Sequence, residues 1–266
     1  MKQAALSIHK LNVSVRSATG VANVVQGISF DLAAGEVLAL VGESGCGKTK
    51  TAEAIMRLIP HDVGRAQADA IELNGVNLEA LPEKRMREIR GREISMVFQE
   101  PLTALDPVFT IGNQLSSVYR RHRAQSKRKA LASSVEMLDR VGIADSRRIM
   151  KSYPHQLSGG MRQRVMVSMA MACQPRVLIA DEPTTALDVT TQAQVLSQLV
   201  GLGHESGTSI LLITHDLGIV AQYCDRALVM LRGRIVEEAG VTELFSGPQH
   251  PYTRELLAAC PGAAIL

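Results

Sequence analysis

One short segment of the chain has residue types and spacing suited to binding phosphate. Its sequence, Gly42-Glu43-Ser44-Gly45-Cys46-Gly47-Lys48-Thr49, matches the pattern G-x-x-x-x-G-K-[ST]. Glycines allow the backbone N–H groups of such a loop to surround a phosphate. The lysine reaches the β- and γ-phosphates, and the threonine hydroxyl binds Mg²⁺. The segment therefore predicts a site for a nucleoside triphosphate.

The residues on either side of this loop supply the secondary structure that the motif requires. The apolar residues 37–41 predict a buried strand, and residues 51–58 predict a helix. A strand, a glycine loop and a helix in this order distinguish a phosphate-binding loop from a glycine-rich turn with a chance lysine.

Polar residues follow other predicted strands. In parallel sheets wound by helices, functional residues gather at the carboxyl ends of the strands, so we expect these side chains to share one edge with the phosphate loop. A capped strand end is the ordinary alternative for each of them. They are Gln99 after residues 94–98, Asp181 and Glu182 after residues 177–180, and His215 after residues 209–213.

Each of these side chains suits a step in the transfer of a γ-phosphate to water. Asp181 and Gln99 are predicted to hold the Mg²⁺ that Thr49 also binds. Glu182 would orient and activate the attacking water, and His215 would position that water and the γ-phosphate.

A second helix start suited to phosphate lies at Leu157-Ser158-Gly159-Gly160. Ser158 is a good N-cap, and the two glycines allow backbone N–H groups to approach an anion. Because the first site already has its own γ-phosphate ligands, we expect this helix start to serve the nucleotide of another subunit.

Composition limits the class of protein. The chain has 266 residues, 46% hydrophobic and 21% charged, which is usual for a globular protein. A net charge of +3 is too small to indicate a nucleic-acid partner. No apolar run is long enough to span a bilayer, and the N-terminus lacks the apolar segment of a signal peptide. These features predict a cytoplasmic protein that can still dock on a membrane protein.

Two groups of residues have alternative interpretations. The cysteines are scattered, at 46, 173, 224 and 260, which predicts neither a zinc site nor a disulfide framework. Cys46 is interpreted as a small residue tolerated in the loop rather than a redox switch. If its thiol were exposed at the helix N-terminus, its pKa would be lowered and its alkylation would block nucleotide binding. The basic residues within 120–129 are interpreted as a solvated helical face rather than a site for nucleic acid or anionic headgroups.

The remaining pattern predicts an α/β fold. Residues 6–15 predict an edge-type strand, and residues 24–32 predict a second strand. No helix is predicted between them, and residues 71–78 predict a hairpin, so these segments together predict an antiparallel sheet. Two prolines predict a loop at 100–107, and residues 111–139 predict helices joined near 124–126. From residue 177 onward, apolar strands alternate with helices, which predicts a parallel sheet.

Six segments together resemble the ordered motifs of the ATP-binding cassette (ABC) ATPases. In chain order they resemble Walker A (residues 42–49), the Q-loop (Gln99), the LSGGQ signature (residues 157–160 with Gln163), Walker B with its catalytic glutamate (residues 177–182), the D-loop (Ala186-Leu187-Asp188) and the H-loop (His215). The resemblance covers nearly the whole chain.

This resemblance implies a RecA-like parallel sheet core with a P-loop, an N-terminal antiparallel β subdomain and a helical subdomain. The implied division is 1–98 for the β subdomain and first part of the core, 99–165 for the helical subdomain, 166–240 for the second part of the core, and 241–266 for a short helical tail. ATP and Mg²⁺ are the implied ligands. Ser158, Gly159 and Gly160, with Gln163, would contact the partner's nucleotide.

Finer features resemble the importer subunits for oligopeptides, dipeptides and nickel. They are the segments 98–107, 157–164 and His250-Pro251-Tyr252-Thr253. That resemblance implies a second ATPase subunit, identical or homologous, two membrane-spanning permease subunits, and an extracytoplasmic solute-binding protein. The chain would act at the cytoplasmic face of the membrane, with the helical segment after Gln99 docking on a permease and no nucleic acid as partner.

Two departures from the family pattern concern the nucleotide. Residues 12–27 contain no aromatic side chain to stack on adenine. Lys50 stands where a small or β-branched residue is usual and is predicted to add positive charge near the phosphates.

Three other functions compete with the importer. A cassette ATPase acting on ribosomes or DNA usually has two cassettes or long coiled coils, and an exporter or lipoprotein-releasing ATPase would lack the 101–107 loop and the 250–253 tail. A regulator without turnover would not need Glu182 and His215.

Overall fold

The computed structural model describes residues 4–17, 20–185 and 187–259. Ala186 of the predicted D-loop and Cys260 lie outside the described residues. The chain divides into two compact units, one formed by Met1–Met86 with Ser209–Leu266 and the other by Arg87–Thr208.

The first unit contains an antiparallel sheet near the N-terminus. Its strands are β1 (Ala4–Ser17), β2 (Gly20–Ala33), β4 (Gly64–Gln67), β5 (Ala70–Leu73) and β6 (Val76–Asn77). β1 pairs with β2 on one side and with β4 and β5 on the other, so the prediction of an edge strand is wrong. A register shift between Ile8 and Leu11, with Lys10 at φ 47°, interrupts the alternation of buried residues and explains the imperfect sequence pattern.

A second set of strands in the first unit carries the parallel sheet. β3 (Val37–Val41) lies between β9 (Ser209–Thr214) and β10 (Arg226–Leu231), both parallel to it, and β11 (Arg234–Gly240) is antiparallel to β10. Every residue of β3 is buried, as is usual for a parallel strand covered on both faces.

Four helices of the first unit accompany these strands. They are α1 (Lys48–Ile55), α9 (Leu217–Tyr223), α10 (Val241–Ser246) and α11 (Pro251–Ala258). Leu217, Val220, Val241 and Leu244 pack with β3 and β10 residues in one hydrophobic cluster, which also includes Tyr252. The C-terminal helices therefore belong to the core of this unit.

The second unit combines a parallel strand pair with helices. The strands are β7 (Ile94–Val97) and β8 (Val177–Asp181). The helices are α3 (Pro101–Ala104), α4 (Ile111–Arg123), α5 (Lys127–Arg140), α6 (Ser146–Ile149), α7 (Gly159–Met171) and α8 (Val189–Ser206), with a 3₁₀ turn at Pro154–Gln156. α2 (Glu83–Ile89) contains the residues at which the sequence passes from the first unit to the second.

Capping explains where several helices begin. The Thr110 and Ser126 side chains accept hydrogen bonds from Asn113 N and Lys129 N, so α4 and α5 separate where the sequence predicts. The prediction of a loop throughout 100–107 is wrong, because α3 forms one helical turn there. Pro101 is the first residue of α3, a position where proline loses no hydrogen bond.

No helix among the described residues is both long and apolar enough to cross a bilayer.

Candidate nucleotide-binding site

The phosphate-binding loop joins β3 to α1 in the first unit. Gly42 and Gly47 have φ angles of 153° and 113°, in the region that favours glycine. A Cβ at these positions would collide with the carbonyl oxygens of Met230 and Val24, respectively. Both glycines are therefore required by backbone conformation and by close packing.

The lysine of the loop is buried and bonded to the loop itself. The Lys48 side chain is 5% exposed, and its Nζ donates to Gly42 O at 2.6 Å and to Glu43 O at 3.0 Å. α1 starts at Lys48 without a side-chain cap and without an acidic residue in its first turn. An ammonium group and an uncapped helix N-terminus thus lie in one loop, which favours an anion there.

Burial of Cys46 and charge pairing of Lys50 describe the two residues on either side of the Gly47–Thr49 segment. Cys46 is buried, and burial raises the pKa of its thiol, although the Lys48 ammonium opposes this shift. The thiol is therefore neither exposed nor of lowered pKa, which agrees with the interpretation of Cys46 as a small residue tolerated in the loop. The Lys50 Nζ lies 2.5 Å from the Glu53 carboxylate, so its charge is paired within α1.

His215 lies at the same edge of the sheet as the loop. Val41 pairs with Thr214 in the parallel ladder of β3 and β9, so Gly42 and His215 follow neighbouring strand ends. The next residue, Asp216, accepts from Gly218 N at 2.8 Å and caps α9. Strand and capped helix therefore fix the backbone of His215 on both sides, as the sequence predicts.

The second unit brings together Gln99 and Glu182. Val97 pairs with Ala180 in the β7–β8 ladder, which aligns the residues that follow each strand. Gln99 Nε2 donates to Glu182 Oε2 at 3.3 Å. Asp181 is 1% exposed at the end of β8. The structure thus places the predicted water-activating carboxylate beside the predicted metal-binding amide.

Thr185 also binds the Glu182 carboxylate, a contact that the sequence pattern did not predict. Its Oγ1 donates to Glu182 Oε2 at 2.9 Å, and its backbone N donates to Glu182 O at 3.2 Å. Glu182 itself has a φ of 43°, unusual for a residue with a Cβ. A hydroxyl three residues after a carboxylate in a tight turn is the sequence signal that identifies this contact.

The predicted signature segment starts α7. Ser158 is its N-cap and accepts from Met161 N at 3.3 Å, which confirms the predicted helix start. A Cβ on Gly160 would collide with the Thr191 methyl group. Ser158 and Gly159 are exposed, whereas Gln163 is buried, with 2% of its surface exposed. Its Nε2 has no hydrogen-bond partner within the described part of the chain.

Comparison with known sequences identifies the family. Residues 25–185, which include the phosphate loop, Gln99, the signature segment and Glu182, match the sequence profile of the ABC transporter family. The chain belongs to the ABC transporter family. This family assignment makes it an ABC-type ATPase that binds ATP.

Named relatives of this ABC ATPase match it over nearly its full length. It is 48% identical over 96% of its residues to a probable peptide ABC transporter ATP-binding protein of Sinorhizobium fredii and covers 76% of that protein. The dipeptide transport ATP-binding protein DppD of Bacillus subtilis is also 48% identical over 96% of this chain, which covers 76% of it.

A solved structure shows the fold of this ABC ATPase. The dimeric structure of a bacterial ABC transporter cassette superposes with a TM-score of 0.78 at 23% identity, covering 89% of this chain and 98% of that one. The predicted fold class is therefore confirmed: an α/β ABC cassette with an N-terminal antiparallel sheet and a helical part.

Proposed function

We propose that this chain is the ATP-hydrolysing subunit of a bacterial importer that takes up peptides. The observation that carries the ATPase part of the proposal is the buried Lys48 ammonium beside the uncapped N-terminus of α1, an arrangement suited to the phosphates of ATP. Peptide is preferred to nickel or a metal chelate as cargo because the named relatives are a peptide and a dipeptide transport protein. The rival function on ribosomes or DNA has no observation in its favour.

Mg²⁺ fits the donor set that the sequence predicts. Thr49, Gln99 and Asp181 offer a hydroxyl, an amide oxygen and a carboxylate, and Mg²⁺ prefers oxygen ligands. Because Gln99 Nε2 donates to Glu182, the amide oxygen remains as the acceptor atom of that side chain. The metal would neutralise charge on the β- and γ-phosphates.

Glu182 is proposed as the general base of hydrolysis. Gln99 and Thr185 both donate to the same carboxylate oxygen, which orients the group before a water binds. His215 is proposed to position the water and the γ-phosphate from its place beside the phosphate loop. Such groups act mainly by positioning, since phosphoryl transfer requires little covalent chemistry from the protein.

The nucleotide site is proposed to be shared between two subunits. Ser158 and Gly159 are exposed at the start of α7, so this helix N-terminus is open to the γ-phosphate bound by a partner ATPase, identical or homologous. Gln163, also predicted to contact that nucleotide, is buried and is proposed to act by supporting α7.

Docking on two permease subunits at the cytoplasmic face of the membrane is proposed for the segment after Gln99. Val108 and Phe109 are 73% and 52% exposed, a pair of apolar side chains suited to a partner surface. An extracytoplasmic solute-binding protein would supply the cargo to those permeases. A Phe109→Ser variant that co-purifies with the permeases as well as the unaltered chain would contradict this assignment.

A complementation experiment tests the shared site. Lys48→Ala removes the phosphate-binding lysine, and Ser158→Phe obstructs the signature helix start. In a dimer of the two variants, one site carries both defects and the other carries neither. We therefore expect the mixture to hydrolyse ATP although each variant alone does not. Activity no higher than the sum of the separate variants would contradict a shared site.

A further inference from the structure

The backbone of the phosphate loop makes a hydrogen bond that plays no part in the catalytic roles proposed above. Glu43 N donates to the hydroxyl oxygen of Tyr252 at 3.0 Å. Tyr252 lies in the first turn of α11, and loop and helix belong to the same compact unit. A residue near the C-terminus thus accepts a hydrogen bond from the backbone of the nucleotide site.

The geometry of the peptide bond links this contact to Lys48. Glu43 N–H and Gly42 C=O belong to one trans peptide unit, in which the two groups point in opposite directions. Tyr252 binds the N–H side of this unit, and Lys48 Nζ donates to its carbonyl oxygen at 2.6 Å. The orientation of one peptide plane therefore determines both contacts.

The tyrosine is itself held firmly. His250 Nδ1 accepts from Tyr252 N at 3.2 Å, and the Glu237 carboxylate accepts from Gln249 N at 2.7 Å and from His250 N at 2.9 Å. The Tyr252 ring is 7% exposed and packs in the cluster that contains Val241. A hydroxyl fixed in this way gives the loop a rigid support.

We propose that Tyr252 is a positioning residue for the phosphate loop, whose hydroxyl fixes the Gly42–Glu43 peptide and thereby the place of Lys48. This proposal depends on one part of the proposed function, namely that the loop binds ATP. Gly42 has no side chain to restrict this peptide, so the peptide is restrained by Lys48 on its carbonyl side and by Tyr252 on its N–H side. Loss of the hydroxyl leaves the Glu43 N–H without its acceptor and allows the peptide to rotate.

The test compares Tyr252→Phe with Tyr119→Phe in the full chain. Both tyrosines are buried, and Tyr119 lies in α4 of the second unit, so the control removes a hydroxyl without touching the loop. For Tyr252→Phe we expect the Kd for Mg-ATP to rise about tenfold, the usual effect of losing one buried hydrogen bond. The kcat at saturating ATP should change by less than about twofold, because bound phosphates restore the loop. Tyr119→Phe should bind ATP as the unaltered chain does.

A second measurement reports on the loop without ATP. Cys46 is buried inside the loop, so a loosened loop should expose its thiol, and iodoacetamide should modify Cys46 several-fold faster in Tyr252→Phe, measured by mass spectrometry of the peptide. An unchanged rate or an unchanged Kd would overturn the proposal. Failure of the unaltered chain to bind ATP would instead contradict the proposed function and leave the alkylation comparison intact.

Discussion

The side chain of Glu182 shows how local contacts prepare a group for chemistry. Gln99 and Thr185 donate to Oε2 at 3.3 and 2.9 Å, and a glutamine at 182 would keep an acceptor oxygen for both of them. The substitution of glutamine therefore separates the orientation of the side chain from its ability to take a proton.

We predict that Glu182→Gln binds ATP with unchanged affinity and loses hydrolysis by about 10²-fold or more, the usual contribution of a positioned base. The variant should accumulate as an ATP-bound dimer, which size-exclusion chromatography detects. Glu205→Gln, which alters a carboxylate paired with Arg140 at 2.6 Å, is the control and should retain activity. Hydrolysis by Glu182→Gln at the normal rate would mean that another group is the base.

Cys46 has a predictable response to pH. Burial raises the pKa of its thiol above the ordinary value of 9.0, and a raised pKa lowers the thiolate fraction at every pH below it. We predict slow alkylation of Cys46 by iodoacetamide at neutral pH and a rate that still increases above pH 9, because only the thiolate reacts. Glutathione measured in parallel is the control. If the Cys46 alkylation rate levels off at a lower pH than the glutathione rate does, the raised pKa is contradicted.

At the scale of secondary-structure elements, one ion pair connects the turn before β3 to β10. The buried Glu36 carboxylate accepts from Arg226 Nη1 at 2.6 Å and from Ala33 N at 2.7 Å. Arg226 also pairs with Glu238 of β11 at 2.5 Å, but that carboxylate is half-exposed. One arginine thus has a buried partner and an exposed one, which allows a matched comparison.

We predict that Glu36→Ala lowers the free energy of unfolding of the first unit by about 2 kcal/mol, because it removes a buried carboxylate that pairs with Arg226 and accepts from a backbone N–H. Glu238→Ala should cost less than about 1 kcal/mol, as exposed pairs usually do. Urea unfolding measures both values. Equal losses in the two variants would show that burial of Glu36 has no special role.

For the whole molecule, the two predicted phosphate-binding helix starts, α1 and α7, belong to different compact units. If α7 acts on the nucleotide of another subunit, hydrolysis requires association of two chains. The rate per chain then reports dimer formation rather than the properties of one loop.

We predict that the isolated chain binds Mg-ATP at all concentrations but hydrolyses it slowly when dilute, with a rate per chain that rises with protein concentration. Chelation of Mg²⁺ with EDTA should abolish hydrolysis at every concentration. The measurement is phosphate release over a dilution series, with the oligomeric state followed by light scattering. Full activity in a strictly monomeric sample would contradict the shared site.

The sequence by itself determined the local features of this protein. The phosphate loop was identified because its glycines, lysine and threonine are consecutive and lie between a strand and a helix. Helix α9 has the predicted bounds, Leu217–Tyr223, because strand, cap and apolar spacing all lie within a few residues of one another. Patterns of this range depend only on neighbours along the chain.

The tertiary structure alone decided the features that depend on distant residues. The central place of β1 in its sheet results from pairing with β4 and β5. The burial of Cys46 and Gln163 depends on the elements packed around them. The hydrogen bond between Tyr252 and Glu43 joins residues 209 positions apart in the sequence. Burial and long-range hydrogen bonds arise from packing, which no local pattern encodes. The phosphate loop is therefore recognised from eight consecutive residues, while its support comes from the other end of the chain.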